Sequence, residues 1–392
     1  MKLIDREYLH KIISVKGTPD IKVITGIRRS GKSCLLLQFM EYVRNNDPDA
    51  NIIYIDFNSL SSEPYLEYHA LNNYIEEHYD CNKNNYVCID EVQMCDGFEK
   101  TVNSLHSSMK YDIYIIGSNA FLLSSDLATL FTGRTFEIEV FPFSFKECMT
   151  YYNNEYSLQR YVLEGGMPGS LLYTNQADKY QYIRDVFETL ILRDIMQKYV
   201  IRNKDVIHDL AYFMMDNISS LTSINNISKE VEKNALKISN KTIKQYLSYL
   251  SNSYLFYRVR RYDIKGKKYL TMTDKYYLAD HSFRYANIGT KNMDYGQVYE
   301  NIVAIELIRR GYEVYVGKLY KKEIDFVAVK QSEKIYIQIS DDISNRKTFD
   351  REVSSLLQIQ DNYPKILLAN THHDEYQYEG IRVIDLEKWL CE

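Results

Sequence analysis

Eight residues near the start of the chain have the types and spacing needed to hold a triphosphate. Glycines at both ends of this loop let successive backbone N–H groups turn inward and form an anion-binding nest. Lys32 would bring a positive charge to the outer phosphates, and Ser33 a hydroxyl ligand for Mg²⁺. The loop matches the pattern GxxxxGKS, and its members expected to contact the nucleotide are Gly26, Ile27, Arg28, Arg29, Ser30, Gly31, Lys32 and Ser33.

The sequence on either side of this loop supports the same chemistry. A short apolar run at 21–25 precedes the loop, and an apolar-periodic segment at 34–40 follows it. Strand, glycine-rich turn and helix form the context that separates a nucleotide site from a chance match. The helix N-terminus adds unpaired N–H groups and a dipole that favour negative charge. The flanks therefore favour a nucleoside-triphosphate site over a glycine turn before an ordinary helix.

A second motif, at 86–91, supplies two carboxylates. Residues 86–89 are a short apolar run, typical of a strand buried on both faces of a parallel sheet. At its end, Asp90 is predicted to hold Mg²⁺ through water. Glu91 would point to the other side and polarise the attacking water as a general base. Alone, this pair would be a solvated strand end; together with the loop, it indicates hydrolysis.

Three further segments predict neighbouring strands of the same parallel sheet, at 51–57, 112–119 and 135–140. Ligands of open α/β sheets lie at the carboxyl ends of the strands. Asn119, in the polar end of the strand predicted at 112–119, would orient the lytic water or simply cap a helix; both interpretations stay open. Arg134 would reach a γ-phosphate of its own or a neighbouring subunit as an arginine finger, or form a salt bridge within the sheet.

These motifs occur in an order that resembles one group of proteins. The order is a GxRRxGKS loop, an apolar-Asp-Glu-Val-Gln strand, Ile-Gly-Ser-Asn, Leu-Phe-Thr-Gly-Arg at 130–134 and Phe-Pro-Phe-Ser-Phe-Lys-Glu at 141–147. It looks like the N-terminal module of bacterial and archaeal AAA-type P-loop ATPases that carry a C-terminal domain of unknown function. The similarity extends through Gly-Gly-Met-Pro, Leu-Arg-Asp-Ile, Lys-Tyr-Tyr-Leu-Ala-Asp and Glu-Ile-Asp-Phe, which end at residue 326.

The resemblance implies ATP as ligand, Mg²⁺ as its cofactor, and three domains in one α/β chain. Residues 1–150 would form the AAA-type P-loop ATPase domain with its parallel sheet. Residues 151–290 would form a helical, winged-helix domain. Residues 291–392 would form a domain similar to restriction endonucleases, with a PD-(D/E)xK-like α/β fold.

Composition narrows the class of protein. A length of 392 residues predicts two or three domains. The six cysteines form no CxxC pair and no histidine cluster complements them, which argues against a metal site built on sulfur. Free thiols and the lack of a secretory signal predict a cytoplasmic protein. No apolar stretch approaches the length of a membrane span, so no membrane partner is expected.

Charge is distributed unevenly along the chain. Residues 1–150 hold 14 Lys and Arg against 21 Asp and Glu, and residues 291–392 hold 14 against 18. Residues 151–290 hold 20 basic against 14 acidic residues, a net charge of +6. A basic face is the electrostatic signature of nucleic-acid binding. Contact with nucleic acid is therefore expected, if anywhere, in the middle segment.

The middle segment has the pattern of a winged helix. Helices are predicted at 205–215, 223–231 and 239–250, followed by a hairpin of strands at 255–262 and 268–272. The third helix would act as a recognition helix and the hairpin as a wing on the phosphate backbone. Alternatively, the segment packs on the ATPase core as a lid or lever. The candidate nucleic-acid contacts are Lys241, Lys244, Arg258, Arg260, Arg261, Lys265, Lys267 and Lys268.

The C-terminal segment raises the question of a second active site. A helix and three strands follow the order of a PD-(D/E)xK nuclease core, which needs clustered carboxylates for Mg²⁺ and a lysine for the hydroxide. Asp325 stands at the metal-binding position, and Glu300 would help from the helix. Where an acid-x-Lys is expected, the chain has Gln338 and Ser340. Gln338 keeps an oxygen ligand but loses a charge, so a degenerate domain is favoured over an active nuclease.

Three functions follow from these predictions. The first is an ATPase that couples nucleotide state to movement of the basic domain, on DNA in one version. The second is an ATP-dependent nuclease of defence or repair. The third is an ATP-sensing regulator that binds an unknown protein partner through residues 291–392. AAA-type sites are often completed by an arginine of a neighbouring subunit, so a homo-oligomer is one expectation and a monomer is the equal alternative.

Overall fold

The chain folds into two compact units. The computed structural model describes residues 4–117, 131, 133–201, 204–233, 239–266, 268–290 and 294–392, with the backbone alone at 231–233 and 268–272. One unit comprises the residues up to Pro142 and the segment Leu192–Val200. The other comprises Phe143–Ile191 and Ile201–Glu392.

The first unit is built on a five-stranded parallel sheet. The strands follow the order β2-β3-β4-β1-β5, so β4 lies between the strand that enters the glycine-rich loop and the strand that ends in Asp90. Their carboxyl ends therefore meet at one edge. The parallel α/β fold predicted for this region is confirmed. The strands are β1 (Ile21–Thr25), β2 (Ala50–Asp56), β3 (Asn84–Asp90), β4 (Tyr111–Ile116) and β5 (Thr135–Glu139).

Helices cover both faces of this sheet, which explains the unbroken apolar runs of its strands. One core cluster includes Ile24 of β1 and Phe39; the cluster on the opposite face includes Val23, also of β1, and Leu105. The described helices are α1 (Glu7–Ser14), α2 (Lys32–Asn46), α3 (Tyr68–Glu77) and α4 (Phe98–Ser108), with 3₁₀ turns at Leu60–Tyr65 and Val92–Met94.

The second unit begins with helices. A π-helix at Leu190–Gln197 carries the chain out of this unit and into the first, and a 3₁₀ turn occurs at Pro168–Leu172. The α-helices of the second unit are α5 (Phe145–Tyr151), α6 (Leu158–Glu164), α7 (Gln176–Thr189), α8 (Lys204–Asp216), α9 (Ile224–Lys233), α10 (Asn240–Asn252), α11 (Ser282–Ile288), α12 (Tyr295–Arg309), α13 (Arg346–Leu357) and α14 (Leu386–Cys391).

An eight-stranded mixed sheet completes the second unit, in the order β12-β13-β11-β10-β9-β8-β6-β7. The hairpin predicted as a wing is present as β6 and β7, and β6 also pairs in parallel with β8. The boundary predicted at residue 290 therefore falls within one compact unit. The strands are β6 (Phe256–Asp263), β7 (Lys268–Leu278), β8 (Glu313–Leu319), β9 (Lys322–Lys330), β10 (Glu333–Ser340), β11 (Lys365–Ala369), β12 (Tyr376–Tyr378) and β13 (Ile381–Asp385).

The described part of the chain contains neither a helix suited to span a membrane nor a disulfide bond. Its helices include none that is both long and apolar enough to span a membrane. All six cysteines fall within the described ranges, and each is a free thiol.

Candidate functional site

The glycine-rich loop between β1 and α2 requires glycine at both of its ends. Gly26 has a φ of 127° and Gly31 a φ of 98°, in the region that favours glycine. A Cβ on Gly26 would lie 2.2 Å from the carbonyl oxygen of Val140, so space excludes a side chain there as well. The loop is thus held open, and α2 begins at Lys32 directly after it.

Arg6 anchors the loop, a role that sequence reasoning missed. Its Nη1 donates to the carbonyl of Ser30 at 2.9 Å, and its Nη2 donates to the carbonyl of Phe141 at 2.8 Å. The residue is only 4% exposed. Arg6 therefore ties the loop to the segment after β5. It lies outside every motif, and no signal in a single sequence singles it out.

Lys32 lies buried inside the loop. Its Nζ donates to the carbonyl oxygens of Gly26 and Ile27, each at 2.9 Å. Burial lowers the pKa of Lys32, while the carboxylates of Glu91, Asp194 and Asp90 act in the opposite direction. Its hydrogen bonds go to neutral carbonyls, so the ammonium can turn to an anion without breaking a close ion pair.

Asp90 and Ser33 meet at the carboxyl edge of the sheet. The hydroxyl of Ser33 lies close enough to the Asp90 carboxylate to oppose the rise in its pKa, and Asp90 Oδ1 is buried without a hydrogen-bond partner among the described residues. Burial raises the pKa of Asp90 to about 6, against the opposing effect of Ser33. A buried carboxylate oxygen without a partner is costly unless something binds it. An orphaned oxygen beside a hydroxyl fits a Mg²⁺ ion with oxygen ligands.

Glu91 leaves the strand in an unusual conformation. Its φ of 55° is in the left-handed region, which non-glycine residues adopt at a cost and often at functional sites. The side-chain amide of Gln93 donates to Glu91 Oε2. Both acids of the Asp-Glu-Val-Gln motif therefore lie at the carboxyl end of β3.

Asp194 is a second residue that sequence reasoning left without a role. Asp194 Oδ1 lies 3.0 Å from Nη1 of Arg28, in the glycine-rich loop. Both belong to the first unit, although Asp194 comes from the π-helical segment. The Leu-Arg-Asp-Ile motif was part of the resemblance, but the pattern alone does not point to the loop.

Two catalytic candidates predicted for residues 1–150 remain, Asn119 and Arg134. Asn119 lies outside the described residues. Arg134 is exposed at the amino end of β5, where its carbonyl accepts from the N–H of Ile21 at 2.8 Å. Its Nη1 donates to Asn103 Oδ1 at 3.3 Å. The structure does not bring Arg134 to the loop of its own chain, because the loop lies at the opposite edge, about 16 Å away along a five-residue strand.

The basic residues of the middle segment differ in whether an acidic side chain neutralises their charge. Arg258 Nη2 is 2.6 Å from Asp274 Oδ2, and Arg261 Nη2 is 3.9 Å from Glu323 Oε2. Both charges are therefore at least partly neutralised. Lys267 lies outside the described residues, and only the backbone of Lys268 is described. The candidates that are exposed and have no ion-pair partner in the described part of the chain are Lys241, Lys244, Arg260 and Lys265.

The predicted second site is brought together in one cleft of about 790 Å³ in the second unit, lined by Glu300, Asp325, Gln338 and Glu352. Asp325 Oδ2 accepts from the backbone N–H of Ile339 at 2.8 Å. Gln338 Nε2 donates to Glu352 Oε2 at 2.9 Å, so its amide faces a carboxylate that sequence reasoning did not include. Burial, then the charge of Glu300, raises the pKa of Asp325 well above its ordinary value.

A buried lysine already neutralises part of this cleft. Lys275 Nζ is 2.8 Å from Glu300 Oε1 and 2.7 Å from Glu323 Oε1. Tyr277 also donates to Glu300 Oε1, at 2.6 Å. Across the described ranges, no group of three or more His, Cys, Asp or Glu side chains is arranged to hold a metal ion. The predicted carboxylates are close together, but their partners are protein groups.

Comparisons with known proteins agree with the architecture of the first unit. A model described as an AAA domain matches residues 18–149, and a model described as a domain of unknown function matches residues 155–294. An uncharacterized protein of Haemophilus influenzae is 38% identical over 400 residues, covering 100% of this chain and 99% of the relative. An uncharacterized protein of Methanocaldococcus jannaschii is 28% identical over 410 residues, covering 98% of this chain and 88% of the relative.

Solved structures show lower similarity. The Walker-type ATPase of Pyrococcus abyssi has a TM-score of 0.48 at 16% identity, covering 72% of this chain and 95% of that one. Domain III of the replication initiation protein DnaA of Thermotoga maritima has a TM-score of 0.32 at 18% identity, covering 47% of this chain and 99% of that one. The domain match confirms the predicted AAA-type P-loop region. The winged-helix and endonuclease-like interpretations stay predictions.

Proposed function

The chain belongs to the same family as the uncharacterized Haemophilus influenzae protein and carries an AAA domain, and from this premise we propose that it binds ATP with Mg²⁺ and hydrolyses it to ADP and phosphate. The observation that carries the proposal is the buried, unpartnered Oδ1 of Asp90 beside the Ser33 hydroxyl. These two residues would hold Mg²⁺, whose positive charge would offset that of the phosphates.

The residues of the loop have separate tasks in this mechanism. Backbone N–H groups between Gly26 and Gly31 bind the phosphate oxygens, and Lys32 turns from the loop carbonyls to the outer phosphates. Glu91 accepts a proton from the attacking water, for which its position one residue beyond Asp90 is suitable. Arg6 and Val140 act indirectly by fixing the shape of the loop.

Release of phosphate from ATP by the purified full chain tests this proposal, with and without Mg²⁺ and duplex DNA. We expect Mg²⁺-dependent release that is lost in Lys32→Ala. The matched control is Lys110→Ala, which removes an exposed lysine of the same unit whose partner is Glu76 at 3.9 Å. If the wild-type protein binds nucleotide but releases no phosphate under any of these conditions, hydrolysis is refuted and a binding module remains.

We further propose that nucleotide state is coupled to the basic middle segment, residues 151–290, and that this segment contacts DNA. The exposed cations Lys241 and Lys244 on α10 and Arg260 on β6 support contact with phosphates. Affinity for duplex DNA should then fall steeply with salt, because each neutralised phosphate releases counterions. Binding that does not change between 50 mM and 200 mM salt would instead favour a lid, a lever or a protein-binding regulator.

A nuclease is the second candidate, favoured by the shared cleft of Glu300, Asp325 and Gln338. The side chain of Ser340 has no ammonium, and its hydroxyl donates to the carbonyl of Asp342 at 3.1 Å. A degenerate site therefore remains the preferred interpretation. Incubation of plasmid with the protein, Mn²⁺ and ATP distinguishes the two. Only cutting that is lost in Asp325→Ala would support an active nuclease.

A further inference from the structure

The segment Leu192–Val200 interrupts the sequence of the second unit. It belongs to the first unit, whereas the chain immediately before it and immediately after it belongs to the second. It begins within the π-helix Leu190–Gln197, a rare element that is frequent at functional sites. The segment is therefore joined covalently to the second unit at both of its ends.

Two side chains of the segment are buried, and one of them forms an ion pair within the first unit. Ile195 is fully buried, and Asp194 is 8% exposed. Asp194 Oδ1 pairs with Arg28 Nη1 at 3.0 Å, and their side chains are 11% and 19% exposed. Arg28 is the third residue of the glycine-rich loop, so the segment is tied directly to the part of the molecule that would cradle phosphates.

The negative charge of Asp194 in this ion pair would oppose binding of the proposed triphosphate. Asp194 lies close enough to Lys32 for its charge to act on that ammonium, which is meant for the outer phosphates. A triphosphate brings several negative charges into the same low-dielectric region, where like charges repel strongly. The guanidinium of Arg28 also suits phosphate, because its planar fork matches phosphate oxygens.

We propose that Arg28 exchanges Asp194 for the phosphates of a bound nucleotide, so that the segment Leu192–Val200 loosens from the first unit when the site fills. This inference rests on the proposed nucleotide site and adds a means by which its occupancy is communicated to the second unit. Asp194 thereby acts as a competing anion: it holds the loop when phosphate is absent and leaves when phosphate arrives.

Amide hydrogen exchange of residues 190–201 in the full chain tests directly whether Arg28 changes its partner. With Mg²⁺ and a non-hydrolysable ATP analogue, we expect amide exchange in this segment to rise several-fold in the wild-type protein. In the variant Asp194→Asn, the amides of this segment should exchange at the raised rate without nucleotide. Addition of the nucleotide analogue should change that rate little. The same variant should bind the analogue several-fold more tightly, because the repelling carboxylate is gone.

Arg193→Gln is the matched control, since Arg193 is the exposed neighbour of Asp194 on the same segment; it should behave as wild type. If the wild-type protein binds the analogue while exchange in the segment stays constant, the inference is overturned and the nucleotide site stands. If the wild-type protein binds no analogue, the proposed function and the inference both fail. Weaker binding by Asp194→Asn would show that the carboxylate supports the nucleotide, which also overturns the inference.

Discussion

Lys275 donates a hydrogen bond to Glu300 at 2.8 Å, so that a lysine of β7 occupies one carboxylate of the predicted second site. Burial opposes the charge of Lys275, but Glu300, Asp325 and Glu323 together raise its pKa above the ordinary value. The ammonium thus provides, from within the chain, positive charge of the kind that a metal ion would bring to clustered carboxylates. Gln338 and Ser340 stand at the positions of the acid-x-Lys pattern, and a lysine of another strand supplies the positive charge in this cleft.

Removal of this ammonium should lower the stability of the protein. Lys275→Met leaves Glu300 and Glu323 without their shared cation, and breaking a buried pair in this way typically costs about 3–5 kcal/mol. We expect a loss of that size in the free energy of unfolding. It can be followed in denaturant by the fluorescence of the single tryptophan, Trp389, which is buried in the second unit. Lys330→Met, which removes an exposed lysine of β9, should cost far less.

A further arm of the same experiment separates the two interpretations of the cleft. If Lys275 replaces a metal ion, millimolar Mn²⁺ should restore part of the stability lost in Lys275→Met and leave the wild-type protein unchanged. If Mn²⁺ stabilises the wild-type protein equally, the carboxylates are available to metal despite Lys275, and the nuclease hypothesis gains support.

Glu91→Gln should separate binding from hydrolysis. The amide cannot accept the proton of the attacking water, and general-base catalysis typically contributes about 10²–10⁴-fold. We therefore expect phosphate release to fall by at least about 100-fold, with the affinity for Mg²⁺-ATP retained. Equilibrium binding of a fluorescent ATP analogue and a phosphate-release assay measure the two quantities. Equal losses of binding and turnover would show that Glu91 acts structurally.

Gly26→Ala should damage the loop through steric conflict. The new Cβ would lie 2.2 Å from the Val140 carbonyl, at a φ of 127°. Gly17→Ala is the matched control, because Gly17 also has a positive φ, 76°, but its added Cβ meets nothing within 4 Å. The control should lose about 1 kcal/mol from backbone strain alone and bind ATP normally. Gly26→Ala should lose ATP binding; normal affinity in this variant would contradict the close approach of the two segments.

The first unit shows how far sequence alone determines a site of this kind. The positions of the loop, Asp90 and Glu91 at one edge of the sheet were predictable because a motif of this kind has glycines, a lysine and carboxylates at strand ends in a fixed local order. The parallel strands were predictable because burial on both faces leaves continuous apolar runs. Each of these signals is carried by residues that are neighbours in sequence.

The contributions that were missed come from residues that are distant in sequence. Arg6 reaches Ser30 and Phe141, and Asp194 reaches Arg28 across 166 positions. A single sequence contains no periodicity or spacing that reports such pairs. The length of β7 was underestimated for a related reason: its second half is buried against other elements of the second unit, and a hairpin pattern says nothing of that burial.

Two arginines of β6 allow a matched test of DNA contact. Arg260 is exposed without an ion-pair partner in the described residues, whereas Arg258 is paired with Asp274 at 2.6 Å. If β6 contacts phosphates, Arg260→Ala should weaken binding to duplex DNA and reduce the salt slope by about one unit. Arg258→Ala should have a smaller effect on both. Fluorescence anisotropy at several salt concentrations measures them, and unchanged binding in Arg260→Ala would exclude this strand as a contact.

His281 should make the stability of the second unit depend on pH. It is 2% exposed and its Nε2 lies 2.9 Å from the carbonyl of Tyr161; burial lowers its pKa, while Asp280 and Tyr161 oppose the shift. The unfolded chain therefore binds more protons than the folded one between the lowered pKa and about 6.5. Stability should fall on acidification through this window, by at most about 1.4 kcal/mol per pH unit from this group.

His281→Gln should flatten this dependence, because the amide can donate to Tyr161 without titrating in this range. Denaturant unfolding followed by Trp389 fluorescence between pH 5 and 8 measures the slope. His373→Gln, at an exposed position of the same unit, is the control and should keep the wild-type slope. A wild-type slope in His281→Gln would assign the acid sensitivity to other buried groups. A flat profile in the wild-type protein would mean that protonated His281 is accommodated in the folded state, because Asp280 then compensates for burial.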